Sequence, residues 1–327
     1  MKNSNVRLGY CCINLSLADR KVTANRGMIK KTFLEKGQLY CAELAHQNIK
    51  DVLTILKWNL ANDIFVYRMS SDIFPWMSEY EIQQLPNFSN ILPDMQAIGE
   101  FVVANNIRLS MHPGQFDVLP SPTPAVVNKT IKDLDQHCEI MDLMGLPTNY
   151  SFPINIHVGG TYGDKEAAAD RFCQNFQRLK PNTKARLVVE NDDKASQYSV
   201  DDLYNMIHLR IGSPITFDFH HHRFNTSDLS EEAALRLAST TWHGHTPLTH
   251  YSSSKKTFED PTVIARSHAD YVYEKINNYG LTFDIEVEAK AKDRAVLKYR
   301  SDSESLLENY LEFDDKRFFE KDLILND

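Results

Sequence analysis

The chain has 327 residues, 42% hydrophobic and 24% charged, with a formal charge of −8 at pH 7. That is enough to bury a full core as one domain spanning 1–327, and no linker-like composition shift asks for a second. The acidic balance argues against a simply basic nucleic-acid binder, no stretch nears the roughly 18 apolar residues of a membrane span, and the opening MKNSNVRLGYCC lacks an export signal's apolar run, so the expected setting is the cytoplasm.

Apolar runs at 6–10, 64–69, 107–111, 154–157, 187–190, 215–219, 248–251 and 283–287 read as strands. The intervening segments 30–60, 78–105, 125–144, 164–178, 201–209, 230–238, 261–277 and 294 onward read as helices. Strict alternation implies parallel pairing with right-handed crossovers, and eight such units predict a single-domain (β/α)8 TIM barrel. Five cysteines without CxxC spacing point to reduced, mostly buried thiols.

From the third strand onward each run ends in a chelating residue. RLSMHPGQF (108–116) delivers His112, PINIHVGG (153–160) His157, LVVEND (187–192) Glu190, ITFDFHHH (215–222) Asp218 and His221, LTHYS (248–252) His250, and FDIEVEAK (283–290) Glu288. In a (β/α)8 barrel these ends converge on one face. A single strand-end His is more often a packed or hydrogen-bonded residue, but successive strands ending this way argue for a shared metal site. Mixed imidazole and carboxylate ligands suit zinc, manganese or iron better than calcium.

Two or three divalent ions held together activate water and clamp a phosphodiester oxygen, and a shared carboxylate is needed to keep them about 4 Å apart. Glu190, in the middle of the series, is the natural bridge, with Asp218 and Glu288 as the other candidate catalytic carboxylates. Strand alternation turns at most one face of the trio His220, His221 and His222 toward the metals; Asp218 and His221 are taken as the ligands, with the other two structural or substrate-facing. WHGHTPLTH (242–250) leaves His243 and His245 open. No Walker A or GxGxxG loop is present, so no nucleotide cofactor is expected. Arg7, Arg68, Arg108, Lys194, Arg223, Lys255, Lys256, Lys290, Lys292 and Arg294 fall near the same runs and predict a basic mouth on an acidic body; the plain alternative is ordinary solvated charge.

Taken in order, YRMSSDIFPW (67–76), MHPGQF (111–116), NIHVGG (155–160), VVEND (188–192) and EAKAK (288–292) resemble the UV damage endonucleases, over nearly the whole chain from RLGY (7–10) to EAKAKDRA (288–295). The resemblance implies a barrel relative of endonuclease IV that nicks damaged double-stranded DNA 5′ to cyclobutane dimers, 6-4 photoproducts and some abasic sites, leaving a 3′-hydroxyl and a 5′-phosphate. It implies two to three divalent ions, manganese foremost, with zinc, magnesium or cobalt as substitutes. One ion would take His112, His157 and Glu190; a second Glu190, Asp218, His250 and Glu288; a third His221 and His268. Gln115 and Phe116 match lesion-probing residues, Tyr10 matches an aromatic that holds the distorted strand, and Arg68 and Lys290 complete the expected DNA-binding set. The expected state is a monomer associated with the nucleoid.

Two positions depart from the pattern. Leu248 stands where the family commonly carries a carboxylated Lys, whose contribution would be absent or supplied by His243 or His245, and Glu79 stands where bacterial members commonly carry a His. A metal-dependent sugar isomerase or epimerase would explain the ligands without the HPGQF loop. A damage-binding protein whose catalysis has lapsed would explain the departures.

Overall fold

The computed structural model describes residues 5–302. Strands β1 (Val6–Cys11), β2 (Val66–Met69), β3 (Arg108–Met111), β4 (Ile154–His157), β5 (Leu187–Glu190), β6 (Ile215–Asp218), β7 (Leu248–Tyr251) and β8 (Phe283–Val287) lie in chain order in one closed barrel, and parallel pairing of β1 with β8 completes the ring. The predicted (β/α)8 architecture is therefore the observed one. Gly9 lets β1 lie close against β2, because a Cβ there would stand 1.9 Å from the Val66 carbonyl oxygen.

Strand side chains alternate between two environments. Leu109, Ile156, Val189, Phe217 and Ile285 join the large core between barrel and helices, whereas Val66, Val188 and Leu248 pack with Trp242 in a separate cluster. At the N-terminal end of the barrel, Arg7 and Arg108 converge on Asp284 at 2.6 and 3.1 Å. These two arginines therefore lie at strand starts, away from the mouth, and Arg223 is likewise committed to Glu274 at 2.7 Å. The predicted basic mouth loses all three.

Two predicted helices differ. The segment 78–105 is helical only over Phe88–Ala104, because short turns precede Pro86 and Asn87 adopts a left-handed φ of 60°. The segment 261–277 forms no helix at all. It follows the turn Lys255–Phe258 and doubles back so that Ser254 pairs antiparallel with His268. Contacts from Glu274 to Arg223, Tyr251 and Ser253 anchor this path and replace a helical ladder. The final helix covers Lys292–Asp302; the rest of the expected helix and the ends of the expected domain lie outside the described residues. Among the described residues no helix is long and apolar enough to cross a membrane.

Candidate metal centre

Strand ends at the C-terminal mouth bring His112, His157, Glu190, Asp218, His221, His250 and Glu288 together, and the loop after β7 adds His268. Glu190 lies at the middle, 1% exposed. Its Oε2 is 3.1 Å from His112 Nε2 and 3.7 Å from His157 Nε2, while its Oε1 is 3.1 Å from His250 Nδ1 and 3.3 Å from His221 Nδ1. One carboxylate thus presents a separate oxygen to each half of the cluster. Two groups share it, His112 with His157 and Asp218 with His221, and the atoms within each group are close enough to hold an ion. The geometry thereby sets His221 beside Asp218 and Glu190, where the resemblance groups it with His268; the His221 and His268 rings are 6.4 Å apart.

Asp218 explains which of three consecutive histidines enters the site. It ends β6 and caps the helical turn Phe219–His222, its Oδ1 accepting from the His221 N–H at 2.7 Å. The selection therefore follows a capped turn and not the strand alternation expected from sequence. His220 and His222 point to the Arg266 and Leu229 carbonyls, and burial pushes them down to about 3 and about 4.

Several ligand atoms suit cations better than one another. Asp218 Oδ2 and both ring nitrogens of His250 are buried without a hydrogen-bond partner. The Pro113 carbonyl can only accept, so His112 Nδ1 donates to it at 3.0 Å, and in a neutral ring Nε2 then offers its lone pair toward Glu190. Such a donor set fits a divalent ion. Burial alone would drive the Glu190 carboxyl up, yet the His250 and His157 charges hold it well below the carboxylate range. Burial likewise opposes charge on His157 and His250, but Glu190 raises them to about 9 and about 10. Burial raises Asp218, with Glu190 and Glu288 adding to that rise.

A supporting layer went unread in the sequence. Asn155 Nδ2 donates to Glu190, Asp192 Oδ1 lies 3.1 Å from His157 Nδ1, and Glu286 Oε2 lies 3.1 Å from His250 Nε2 while its other oxygen accepts from Ser110. Asn155, Ser110 and Glu286 each lie two residues before a candidate ligand, so the period-two rule was the available signal.

Three expectations need correction. Tyr10 is fully buried, its hydroxyl donating to Asn59 at 2.7 Å and accepting from Asn14 at 2.8 Å, so it cannot contact DNA directly. Arg68 is 8% exposed and bonded to Glu288, which makes it a buried counter-ion of the cluster and not a phosphate contact. His243 and His245 lie in the loop entering β7, at the opposite end of the barrel, where they contact Gly212 and Ser151, so neither can stand in for a metal-proximal Lys. Leu248 is sealed into the apolar cluster beneath His250.

Glu79, Gln115 and Lys290 are exposed, and Phe116 is 81% exposed. A cleft of about 220 Å³ separates the Phe116 loop from the 192–197 loop and is lined by His112, Gln115, Asp117, His157, Asp192 and Lys194. The Phe116 loop is tied to the helix Pro124–Leu143 by a bond from the Val118 N–H to Thr130 Oγ1 at 3.1 Å and by a carboxyl pair, Asp117 with Asp133. Burial first, and then the Asp133 charge, lift Asp117 to about 8. A carboxyl raised on folding stabilises fully below about 4, and that stabilisation is lost as pH rises through about 8. Melting temperature is expected to decline from pH 6 to 9, and Asp117→Asn, which keeps a donor toward Asp133, should flatten the decline; an unchanged slope would refute this tie.

The fold and site together define a (β/α)8 barrel enzyme with a candidate metal centre at its mouth. The chain belongs to the UV-endonuclease UvdE family, whose model matches residues 6–314. It is 33% identical over 302 residues to the UV DNA damage endonuclease of Clostridium perfringens (strain 13 / Type A), covering 90% of this chain and 69% of that one. It is 35% identical over 307 residues to the UV-damage endonuclease of Schizosaccharomyces pombe (strain 972 / ATCC 24843), covering 89% of this chain and 50% of that protein, so it spans about half the yeast relative's length. The crystal structure of SacUVDE superposes with a TM-score of 0.79 at 31% identity, covering 92% of this chain and 99% of that one.

Proposed function

We propose that this chain is a metal-dependent endonuclease that hydrolyses the phosphodiester 5′ to UV photoproducts and some abasic sites in double-stranded DNA, leaving a 3′-hydroxyl and a 5′-phosphate. The observation that carries the reading is Glu190, whose two oxygens address separate ligand groups within one buried cluster. When bound, two to three divalent ions, manganese foremost and zinc, magnesium or cobalt as alternatives, would lower the pKa of water and neutralise phosphodiester charge.

The residues have distinct tasks. His112 and His157 would hold one ion with Glu190; Asp218, His221, His250 and Glu288 would hold the others, with His268 beside them. Glu190, Asp218 and Glu288 would face the reacting phosphate through those ions. Asp192 and Glu286 place a carboxylate beside the His157 and His250 rings at 3.1 Å each, and Arg68 pairs with Glu288. Gln115 and Phe116 would enter the gap where a damaged step is already poorly paired, which is where opening the duplex costs least. Lys290 and Lys194, both exposed, would contact phosphate. The chain would act as a one-domain monomer in the cytoplasm, at the nucleoid.

The test is an end-labelled duplex carrying one cyclobutane dimer, incubated with the purified chain and manganese. A nick immediately 5′ to the dimer, absent after chelation and restored by manganese, is expected. Bound but uncut DNA would favour a lapsed enzyme, and absence of binding would favour the isomerase reading.

A further inference from the structure

The loop after β4 carries a second exposed aromatic beside the Phe116 loop. Tyr162 is 53% exposed, its φ of 52° is left-handed, and its hydroxyl has no hydrogen-bond partner among the described residues. A bulky residue rarely adopts that conformation, and strain of this kind gathers at functional sites. The ring neither contributes to the core nor satisfies a bond.

The surroundings hold this ring in place. A Cβ on Gly160 would lie 2.7 Å from Tyr162 Cε2 and 2.8 Å from its Cζ, so the ring occupies the space that a side chain at 160 would fill. The Arg171 guanidinium stands over one face of the ring at 5.7 Å from its centre, within the roughly 6 Å range of a cation–π contact, and so orients it. Arg171 Nε also donates to the Pro120 carbonyl at 2.7 Å. A Cβ on Gly159 would touch Val118 at 3.4 Å. Both contacts set the loop that carries Tyr162 and the helix that carries Arg171 beside Val118 and Pro120, in the stretch that follows Phe116. Gly159 and His157, from the same loop and strand, line the cleft of the metal centre.

We infer that Tyr162 is a second base-stacking residue, contacting a nucleobase next to the one displaced by Phe116, with Arg171 coupling the two loops. This rests on the reading of the mouth as a site that opens damaged DNA. An exposed phenol ring with a fixed backbone suits that partner, because every base offers a π-face and stacking is tolerant of sequence.

The experiment uses a duplex with one cyclobutane dimer and 2-aminopurine opposite or beside it, compared with the undamaged duplex. Tyr162→Ala should weaken damaged-duplex binding by about 5- to 150-fold while altering intact-duplex binding less than about twofold, the range following from alanine substitution at stacking residues. Bound manganese should be unchanged. Tyr162→Phe should bind as wild type, and Gly160→Ala, whose methyl takes the ring's seat, should resemble Tyr162→Ala in part. The 2-aminopurine signal should be quenched by wild type and Tyr162→Phe and recover with Tyr162→Ala. Wild-type affinity and quenching in Tyr162→Ala would overturn the inference while leaving the endonuclease reading standing. Equal losses in Tyr162→Phe and Tyr162→Ala would assign the role to the hydroxyl and overturn stacking. A wild-type chain that neither binds nor nicks the damaged duplex would overturn both.

Discussion

Glu190→Gln is expected to eliminate nicking of a dimer-bearing duplex while leaving the fold intact. The substitution keeps volume but removes the charge, and turns one of two oxygens into an amide that can only donate. Whichever way the amide points, either the His112 and His157 half or the His221 and His250 half loses its carboxylate oxygen. If ion-assisted charge neutralisation supplies several kcal/mol, the loss is roughly 10³-fold or more at about 1.4 kcal/mol per decade. Metal content by mass spectrometry should fall in parallel, and circular dichroism should not change. Nicking at the wild-type rate would remove Glu190 as the bridge.

The second large effect concerns recognition. Replacing Gln115 and Phe116 together by Ala should weaken binding to damaged duplex by at least about 5- to 150-fold, given about 1–3 kcal/mol per stacked base. Binding to intact duplex rests on phosphate contacts and should be nearly unchanged, with its salt dependence preserved. Phe116 is 81% exposed, so its removal opens no cavity and the melting temperature should hold. Bound metal should also be unaffected. An equal loss of metal and of DNA binding would instead make the loop part of the metal centre and sink the wedge assignment.

The strand pattern was legible because the barrel strands are short apolar runs, and from the third onward each leads into a chelating residue at the mouth. That made the closed barrel and the ligand series readable together. What escaped depended on longer-range geometry. Arg68 and Tyr10 have types common in DNA contacts, but only the closed barrel shows Arg68 facing carboxylates and Tyr10 turned outward to Asn59. His243 and His245 belong to an imidazole-rich string that ends in His250, yet the strand between them and His250 carries them to the other end of the barrel. The segment 261–277 has helical composition, and tertiary anchoring of Glu274 overrides it. Leu248 packs one layer below His250 with Val66 and Val188, so that position supplies apolar packing and no ligand.

Asp218 divides its two oxygens between different duties. Oδ1 is committed to the His221 amide, so only Oδ2 is free to turn toward an ion. The cap and the ligand are therefore one carboxylate, and its rotation is fixed before any ion arrives. Lengthening the side chain by one methylene, as in Asp218→Glu, would let it reach an ion only by abandoning the turn, whereas Asp218→Asn could keep the turn and forfeit the charge. The His221 amide hydrogen consequently reports on ion occupancy from within the backbone: its exchange with solvent should slow when the cluster fills, independently of any DNA.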